Sequence, residues 1–272
     1  MSLVAKGLTA GPVTRAQQGV VGLGMTRLAP RYLLRAAIDG ADVTAAQALR
    51  HAVFVAELGG RGGALTDGER RIEADRFDPH CLHLLLVDPL RDGAVVGTTR
   101  VLTPEGARAA GGYATEEEFD LGPLRDSGRR LLEVGRTCLH PDHRGGSALH
   151  QLWGGLAQVV AEQGTELIFG LASLRGLDPA EVAPQLGVLA AEHAAPKELR
   201  PRSLRPVPMT GRIFDRRAAV LAMPALVKAY LRLGAGVGEG AFLDEAFGCI
   251  DVCMVLDSGS LNKRVMPGKA AG

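Results

Sequence analysis

Two charged residues interrupt an apolar stretch near the middle of the 272-residue chain. The stretch runs from Leu131 to Leu139 and contains Glu133 and Arg136. Its apolar residues predict a buried strand, where a charged side chain is costly unless it is paired. Glu133 is therefore either half of a buried ion pair with Arg136 or Arg100, or a general base or cation anchor in a crevice of the sheet.

A glycine-rich sequence follows this strand and opens a long helix. Arg144-Gly-Gly-Ser leads into a helical pattern over Gly145 to Gln163. A helix N-terminus offers free N–H groups and a positive dipole end, so Arg144, Gly145 and Gly146 suit a phosphate. Many strand-to-helix turns are glycine-rich without binding a ligand, so the sequence leaves both interpretations open.

The intervening turn, His140-Pro-Asp-His143, holds two histidines. Proline and turn geometry favour two surface histidines over a metal site, because no third ligand group accompanies them. We therefore expect no metal here. The region of Ser173 lacks a nucleophile-elbow pattern, which argues against a serine triad.

Acidic residues cluster before the predicted central strands, at Glu73, Asp75 and Asp78. Such a charge run is ordinarily a solvated loop. Alternatively, the acids pair with arginines inside the predicted elements, at Arg50, Arg100 and Arg136. That second arrangement would be a connected buried network, which is stable only if every member is satisfied.

The remaining pattern predicts one α/β domain with a mixed sheet. A first strand is expected over Tyr32 to Ile38, followed by a helix capped by Asp42 or Thr44 that ends near Glu57. A hairpin is expected from Cys81 to Val87 and Ala94 to Leu102, and a short helical piece near Thr115 to Phe119 in an otherwise polar connection. Later elements are predicted as follows: a strand over Glu166 to Ala172, a helix capped by Asp178, a helix over Pro224 to Leu233, and a strand over Ile250 to Leu256.

Composition narrows the class of protein. Apolar residues make up 46%, charged residues 22%, and the net charge is +1, which argues against a dedicated nucleic-acid binder. No apolar run is long enough to span a bilayer and no signal peptide is evident, so we expect a cytoplasmic protein. Peripheral contact with the inner face of the cytoplasmic membrane stays open. The four cysteines are expected to be buried small apolar residues in strands, in a reducing compartment.

The expected organisation is a flexible N-terminal arm over 1–30, a domain over 31–258 and a C-terminal tail over 259–272. The segment 197–217 is rich in arginine and lysine and poor in acids. It is either a solvated loop or a surface for an acidic carrier protein or anionic lipid headgroups.

Several motifs together resemble a known family. They are Leu49-Arg50 with Phe54, Glu73-x-Asp75-x-x-Asp78, Val96-Gly-Thr-Thr-Arg100, and Glu133-Val-Gly-Arg136 with Cys138, continuing in the runs 171–179, 224–235 and 247–253. This set resembles the N-acyltransferases of the GNAT superfamily that use acyl carrier protein. The C-terminal runs are similar to the L-ornithine Nα-acyltransferases of ornithine lipid synthesis, which are related to acyl-homoserine-lactone synthases.

The resemblance implies a GNAT-like fold, with a mixed central sheet and helices on both faces. It also implies transfer of a 3-hydroxy fatty acyl group from acyl carrier protein to the α-amino group of L-ornithine, with no bound cofactor. The acyl group would arrive on the carrier's phosphopantetheine arm. GNAT enzymes that use acetyl-CoA carry further glycines at the positions of Ser147 and Leu149, so their absence here favours a carrier protein over CoA.

The resemblance also implies roles for individual residues. Glu133 would be the general base. The acyl-donor site would comprise Val134, Thr137, Cys138, Leu139, Arg144, Gly145 and Gly146. Substrate-binding or purely structural roles would fall to Arg50, Phe54, Glu73, Asp75, Asp78, Arg100, Arg136 and Ser173.

Other functions stay open on the sequence alone. The same chemistry could act on glutamine or another amino acid. An acyl-homoserine-lactone-type synthase would instead consume S-adenosylmethionine. A lipid-binding module that lost activity is disfavoured, because Glu133 and the arginines are all present.

Overall fold

The computed structural model describes residues 31–210 and 215–260, and these contain ten strands and seven α-helices. The strands are β1 (Leu33–Ala36), β2 (Leu82–Asp88), β3 (Ala94–Leu102), β4 (Phe119–Asp120), β5 (Leu131–Leu139), β6 (Leu167–Arg175), β7 (Arg202–Ser203), β8 (Gly236–Val237), β9 (Phe242–Asp244) and β10 (Cys249–Asp257). The α-helices are α1 (Gly40–Arg50), α2 (Pro104–Ala110), α3 (Gly122–Asp126), α4 (Ala148–Glu162), α5 (Pro179–Glu192), α6 (Arg216–Ala222) and α7 (Ala225–Leu233). A π-helical stretch, His51–Glu57, extends α1.

The central sheet is mixed, as the sequence predicts. Its strands follow the order β1-β2-β3-β5-β6-β10-β8, and β9 also pairs with β10. Only β5 and β6 run parallel within this sheet, which follows from their connection through α4. The expected hairpin is present as β2 and β3, and β4 and β7 form a separate two-stranded sheet.

Helices cover both faces of the central sheet. On one face, apolar residues of α4, α5 and α7 pack on alternate residues of β5, β6 and β10, including Leu132, Ile168 and Val252. On the opposite face, α1 packs through Ala46 and Leu49 near β2 and β5. The segment between β3 and β5 covers the rest of that second face. Strand alternation thus buries both faces, which explains the continuous apolar character of the strands.

Several predicted boundaries need correction. Helix α1 is capped by Asp39, not by Asp42 or Thr44, and Asp42 instead forms an ion pair with Arg35. The connection over 103–130 holds α2 and α3 besides the expected helical piece, which is a 3-10 segment at Ala114–Glu117. Helix α4 begins at Ala148, three residues after Gly145, whose φ of 82° does not fit a helix.

Of the other expectations, some hold, some fail and some concern residues outside the described chain. Asp178 caps α5, and β5 has the predicted bounds. The sequence pattern misses α6 and the short strands β4, β7, β8 and β9. The expected arm at 1–30 and most of the expected tail lie outside the described residues. Cys138, Cys249 and Cys253 are buried, but Cys81 is half-buried and precedes β2.

Candidate active site

A cleft opens between β5 and β6. The two strands pair only from Leu131–Glu133 to Leu167–Phe169, although β5 continues to Leu139 and β6 to Arg175. Beyond that point the backbone groups that face the cleft have no strand partner. Such N–H and C=O groups can bind an extended ligand.

A glycine allows the close approach at the narrow end of this cleft. A Cβ atom on Gly170 would lie 2.0 Å from the carbonyl oxygen of Val134. Any other residue at position 170 would push β6 away from β5 or force a backbone shift. Gly170 therefore fixes the point from which the two strands diverge.

A β-bulge in β5 lies at the cleft. Thr98 pairs with Cys138 and Arg100 pairs with Gly135, so two residues of β5 oppose the single residue between them on β3. Arg136 is one of these two and has a φ of 52°, an unusual conformation for a residue with a side chain. The bulge lies where β5 separates from β6, and the Arg136 side chain joins the acidic loop at residues 73–78.

The three arginines and three acids form one buried network. Arg50 donates to Asp78 at 2.9 and 2.6 Å and lies 2.6 Å from Glu73. Arg100 donates to Asp75 at 2.5 Å and to Asp78 at 2.8 Å. Arg136 donates to Asp75 at 3.0 Å and lies 3.3 Å from Glu73. Of the two interpretations of the acidic run, the buried network is correct and the solvated loop is wrong.

The network keeps its aspartates ionised. Burial acts to raise the pKa of Asp75 and Asp78, but Arg50, Arg100 and Arg136 outweigh it and lower the pKa of both. Burial likewise opposes the charge of Arg100, yet the neighbouring acids raise its pKa. Opposite charges thus hold the loop at 73–78 against α1, β3 and β5.

Glu133 has partners that the sequence did not indicate. Its side chain is buried, with the residue 5% exposed. The carboxylate accepts hydrogen bonds from the amides of Ala114 and Thr115, at 2.8 and 2.7 Å, and from the Thr115 hydroxyl at 2.6 Å. Among the described residues it forms no ion pair with Arg100 or Arg136, so the predicted ion pair is wrong. Glu133 instead holds the start of the 3-10 segment Ala114–Glu117.

Burial raises the pKa of Glu133, against the opposing effect of Thr115, Arg100 and Ala114. A carboxylate has about four acceptor positions, and three donors fill three of them. One position remains to accept a proton or a water.

The start of α4 lies beside the wide end of the cleft. Residues 144–147 are exposed, and Ser147 caps α4 without a side-chain hydrogen bond. Arg144 makes two hydrogen bonds of 2.6 Å to Glu57 and one of 3.1 Å to the carbonyl of Leu139. Glu57 thus holds the guanidinium of Arg144 next to the glycines.

The other residues predicted for the acyl-donor site lie on β5 and differ in their exposure. Val134 is buried in the core, and Cys138 packs with Leu49 and Val53. Burial raises the pKa of the Cys138 thiol to about 12, so it stays protonated at neutral pH. Thr137 is half-exposed and shares a 2.7 Å hydrogen bond with Thr99, and Leu139 is also half-exposed.

Two predicted residues lie at the edge of the site. Phe54 packs edge-to-face on Phe247, whose ring also lies 4.3 Å from the Arg136 guanidinium. Ser173 lies on the exposed part of β6 and pairs across the sheet with Asp251 of β10.

The sequence analysis overlooked Asp251, which faces Ser173, and also Asp244 and Glu118, which lie close to Asp251. Asp251 interrupts an apolar strand just as Glu133 does, and alternation places it on the same face as Cys249 and Cys253. That charge in an apolar run was the available signal. No pattern indicated Glu118, because it comes close only through the fold.

The histidine turn and the basic segment differ from expectation. His143 is buried against Tyr32, with a 3.0 Å contact between its Nδ1 and the Tyr32 hydroxyl, so the expectation of two surface histidines is wrong. In the described part of 197–217, Arg200 binds the carbonyl of Ala195 and Arg216 pairs with Glu192.

The splayed strands and the glycine-led helix N-terminus define a GNAT-type acyltransferase. Residues 49–154 match the family model described as an acetyltransferase (GNAT) domain. The fold also matches that of FeeM, an N-acyl amino acid synthase from uncultured soil microbes, with a TM-score of 0.50. That match has 14% identity and covers 85% of this chain and 93% of FeeM, so it supports the fold alone.

Curated relatives define the family more closely. An L-ornithine N(alpha)-acyltransferase of Rhodobacter capsulatus is 47% identical over 86% of this chain and 92% of its own length. The enzyme of the same name from Rhizobium meliloti is 35% identical over 85% of this chain and 82% of its own length. The chain belongs to the L-ornithine N(alpha)-acyltransferase family, and it is an acyltransferase.

Across the described residues, no helix combines the length and the apolar character needed to cross a membrane.

Proposed function

We propose that the protein transfers a 3-hydroxy fatty acyl group from acyl carrier protein to the α-amino group of L-ornithine. The product would be lyso-ornithine lipid. The choice of ornithine as acceptor rests on the 47% identity, over 86% of the chain, to a curated relative named L-ornithine N(alpha)-acyltransferase. The cleft between β5 and β6 supports the same reaction class.

The donor would enter this cleft. Unpaired backbone along residues 134–139 can bind the amide groups of a pantetheine arm as a neighbouring strand would. The amides at Gly145 and Gly146, with Arg144, would hold the single phosphate of that arm. The missing glycines at Ser147 and Leu149 favour a carrier protein over the larger phosphate group of CoA.

The reaction would be a direct attack of the amine on the thioester. The α-amine nitrogen bonds to the thioester carbon, the C–S bond breaks, and the leaving thiolate takes the proton that the attacking nitrogen loses. Backbone N–H groups near Thr137 to Leu139 would donate to the carbonyl oxygen as it gains charge. No acyl-enzyme forms, and Cys138 is buried and protonated.

Glu133 would accept the ammonium proton through a water at its remaining acceptor position. Burial raises the pKa of Glu133, which brings it closer to the pKa of the ammonium group that donates the proton. Arg136, with 21% of its side chain exposed, would orient the ornithine carboxylate. Arg50 and Arg100 would hold the loop that closes over the site.

The proposed product is an amphiphile, so we also propose peripheral membrane contact from the cytoplasmic side. Leu204 and Leu221 are exposed and lie near exposed Arg205 and Arg217 in the chain. Co-sedimentation with anionic vesicles at low salt tests this contact, and recovery no greater than in the absence of vesicles would argue against it.

The direct test is a product assay. The protein is incubated with 3-hydroxyacyl carrier protein and a panel of amino acids that includes ornithine and glutamine, and products are identified by mass spectrometry. We expect the Nα-acyl derivative of ornithine to dominate. Dominant acylation of glutamine would show that glutamine, not ornithine, is the acceptor. Consumption of S-adenosylmethionine with release of an acyl-homoserine lactone would show that the protein is a synthase of that type.

A further inference from the structure

A cluster of acidic side chains lies one strand away from the cleft. Asp251 stands in the middle of β10 and is 3% exposed. It faces Ser173 on β6, and its Oδ1 lies 3.6 Å from the Cys249 sulfur. Asp244, Cys249 and Asp251 place one ligand-type atom each within 4.8 Å of one another.

Glu118 reaches the same place from a different segment. It follows the 3-10 segment Ala114–Glu117, and its carboxyl group lies within hydrogen-bonding reach of Asp251. Its Oε2 atom is fully buried and has no hydrogen-bond donor among the described residues. A buried carboxylate oxygen beside another carboxyl group is satisfied only by a proton shared between the two or by an added donor.

No basic side chain in the described chain forms an ion pair with these acids. Arg136 acts on Glu118 and Asp251 through its charge, but its own ion pairs are with Glu73 and Asp75. Asp244 Oδ1 accepts from the amides of Ala246 and Phe247, which fixes its position. The three side chains therefore hold like charge that no ion pair within the described residues compensates.

Protonation reflects this uncompensated charge. Burial, followed by the charges of Asp251 and Asp244, raises the pKa of Glu118 to about 9. Burial also raises the pKa of Asp251 to about 6, with Asp244 acting in the same direction and Ser173 against it. Near neutral pH the pair therefore keeps one proton between two carboxyl groups. A cation that donates several hydrogen bonds would replace that proton.

The position of the cluster suits the far end of an acceptor bound in the cleft. Neighbouring strands lie about 4.8 Å apart, so β10 is within one strand spacing of β6. A chain of three methylene groups is about as long as that spacing, so an acceptor with its α-amine at the cleft and its side chain directed past Ser173 would end near Asp251. An ammonium at the end of that chain supplies three donors and a positive charge.

We propose that Glu118, Asp244 and Asp251 form a subsite that binds the side-chain ammonium of the acceptor and selects a diamino acid over a neutral one. The subsite rests on the proposed function for the identity of the acceptor. A metal ion is the competing occupant of the same cluster. It is disfavoured because the cluster offers no histidine, and because burial and neighbouring acids raise the pKa of the Cys249 thiol.

The test compares two acceptors of equal chain length, ornithine and norvaline, which lacks the terminal amine. Glu118→Gln and Asp251→Asn are measured beside Glu245→Gln, which removes an exposed neighbouring acid. In the two subsite variants we expect kcat/KM for ornithine to fall by about ten- to a hundredfold, the range for a lost charged hydrogen bond. In the same variants, kcat/KM for norvaline should stay within about threefold of wild type, because norvaline has no terminal amine to lose a hydrogen bond. The control should match wild type with both acceptors.

Three outcomes would overturn the subsite. The first is an unchanged ratio of ornithine to norvaline activity in both variants. The second is an equal loss of kcat with both acceptors, which indicates a catalytic or structural role. The third is a stoichiometric metal in the purified wild type, by mass spectrometry of the metal content, that is lost in the variants. If Asp251→Asn does not fold, Glu118→Gln and Asp244→Asn decide by the same criteria.

Failure of the proposed function gives a different result. In that case the wild-type protein does not acylate ornithine in the product assay. Failure of the subsite leaves wild-type acylation of ornithine intact and removes only the change in selectivity.

Discussion

A carboxylate buried in a strand is stable only when its oxygens are satisfied, and Glu133 meets that condition through Ala114 and Thr115. The same contacts fix the segment that carries Glu118. Glu133 can therefore act as a base, as a positioning residue, or as both. Kinetics can separate these roles, because a base acts on the chemical step.

For Glu133→Gln we expect kcat with the acyl-carrier substrate to fall by about 10²–10⁴, the usual contribution of acid–base catalysis. Wild-type kcat should rise with pH at values above the ordinary pKa of glutamate, because Glu133 accepts a proton only when the pH exceeds its raised pKa. The variant should not show this rise. Glu117→Gln, at an exposed neighbouring position, serves as the control. A kcat within about threefold of wild type would exclude Glu133 as the base.

Asp78 joins Arg50 and Arg100, which are the two most buried arginines of the network. Replacing it with Asn leaves Arg50 and Arg100 without their shared charge, and we expect a loss of about 3–5 kcal/mol in the free energy of unfolding. Urea unfolding at neutral pH measures this loss. Glu192→Gln breaks the exposed pair with Arg216 and should change stability little. A loss below about 1 kcal/mol in Asp78→Asn would show that the network is not cooperative.

The same residue predicts a pH dependence of stability. The pKa of Asp78 is lower in the folded protein than in the unfolded chain. Its contribution is therefore present above the unfolded value of about 4 and is lost as pH falls below that value. Unfolding midpoints measured from neutral pH into this acid range should fall more steeply for wild type than for Asp78→Asn. Parallel curves would contradict a lowered pKa of Asp78 in the folded protein.

At the scale of elements, the decisive feature is the divergence of β5 from β6. It depends on one close contact, between Gly170 and the Val134 carbonyl, and on the bulge at Arg136. The two features leave the cleft-facing backbone unpaired over several residues. An ordinary parallel pair would close this edge and leave no room for the proposed pantetheine arm.

Gly170→Ala tests this contact. The added methyl group would meet backbone, which cannot move as a side-chain tip can, so we expect a loss of about 1–3 kcal/mol in stability. We also expect a higher KM for the acylated carrier. Gly154→Ala is the matched control, because its methyl group meets nothing within 4 Å on α4, and it should be neutral or stabilising by about 0.5–1 kcal/mol. Equal stability of the two variants would refute the close-contact argument.

At the scale of the whole molecule, the net charge of +1 offers little general attraction for an acidic carrier protein. Any electrostatic docking must come from a local surface. The segment 197–217 is the basic candidate, although Arg200 and Arg216 are already engaged within the fold. Lys197 and Arg217 are exposed and have no ion pair in the described chain.

The double variant Lys197→Glu and Arg217→Glu should raise KM for the acylated carrier several-fold at low salt. The effect should shrink at about 0.5 M salt, where exposed charges are screened. Arg70→Glu, an exposed reversal in the loop before β2, is the control with one charge reversed. An unchanged KM at low salt would exclude 197–217 as the carrier surface.

The sequence by itself determined most of the longer elements and many of the residues that carry charge into the core. Apolar runs, a polar turn and cap chemistry suffice for β5, the β2–β3 hairpin and the start of α5, because these signals are local. The motifs also indicated the family. Short strands such as β8 and β9 carry too few residues for a pattern, so the sequence missed them.

Only the tertiary structure decided which charges meet. Glu133 binds the segment at Ala114 and Thr115 and forms no ion pair with an arginine in the described chain, and Arg144 pairs with Glu57. Glu118 meets Asp251 across 133 positions of sequence (251 − 118). Such pairings depend on how separate elements pack, since a side chain's neighbours in space are set by the fold and not by spacing along the chain. For that reason the charge of Asp251 was visible in the sequence, whereas its site was not.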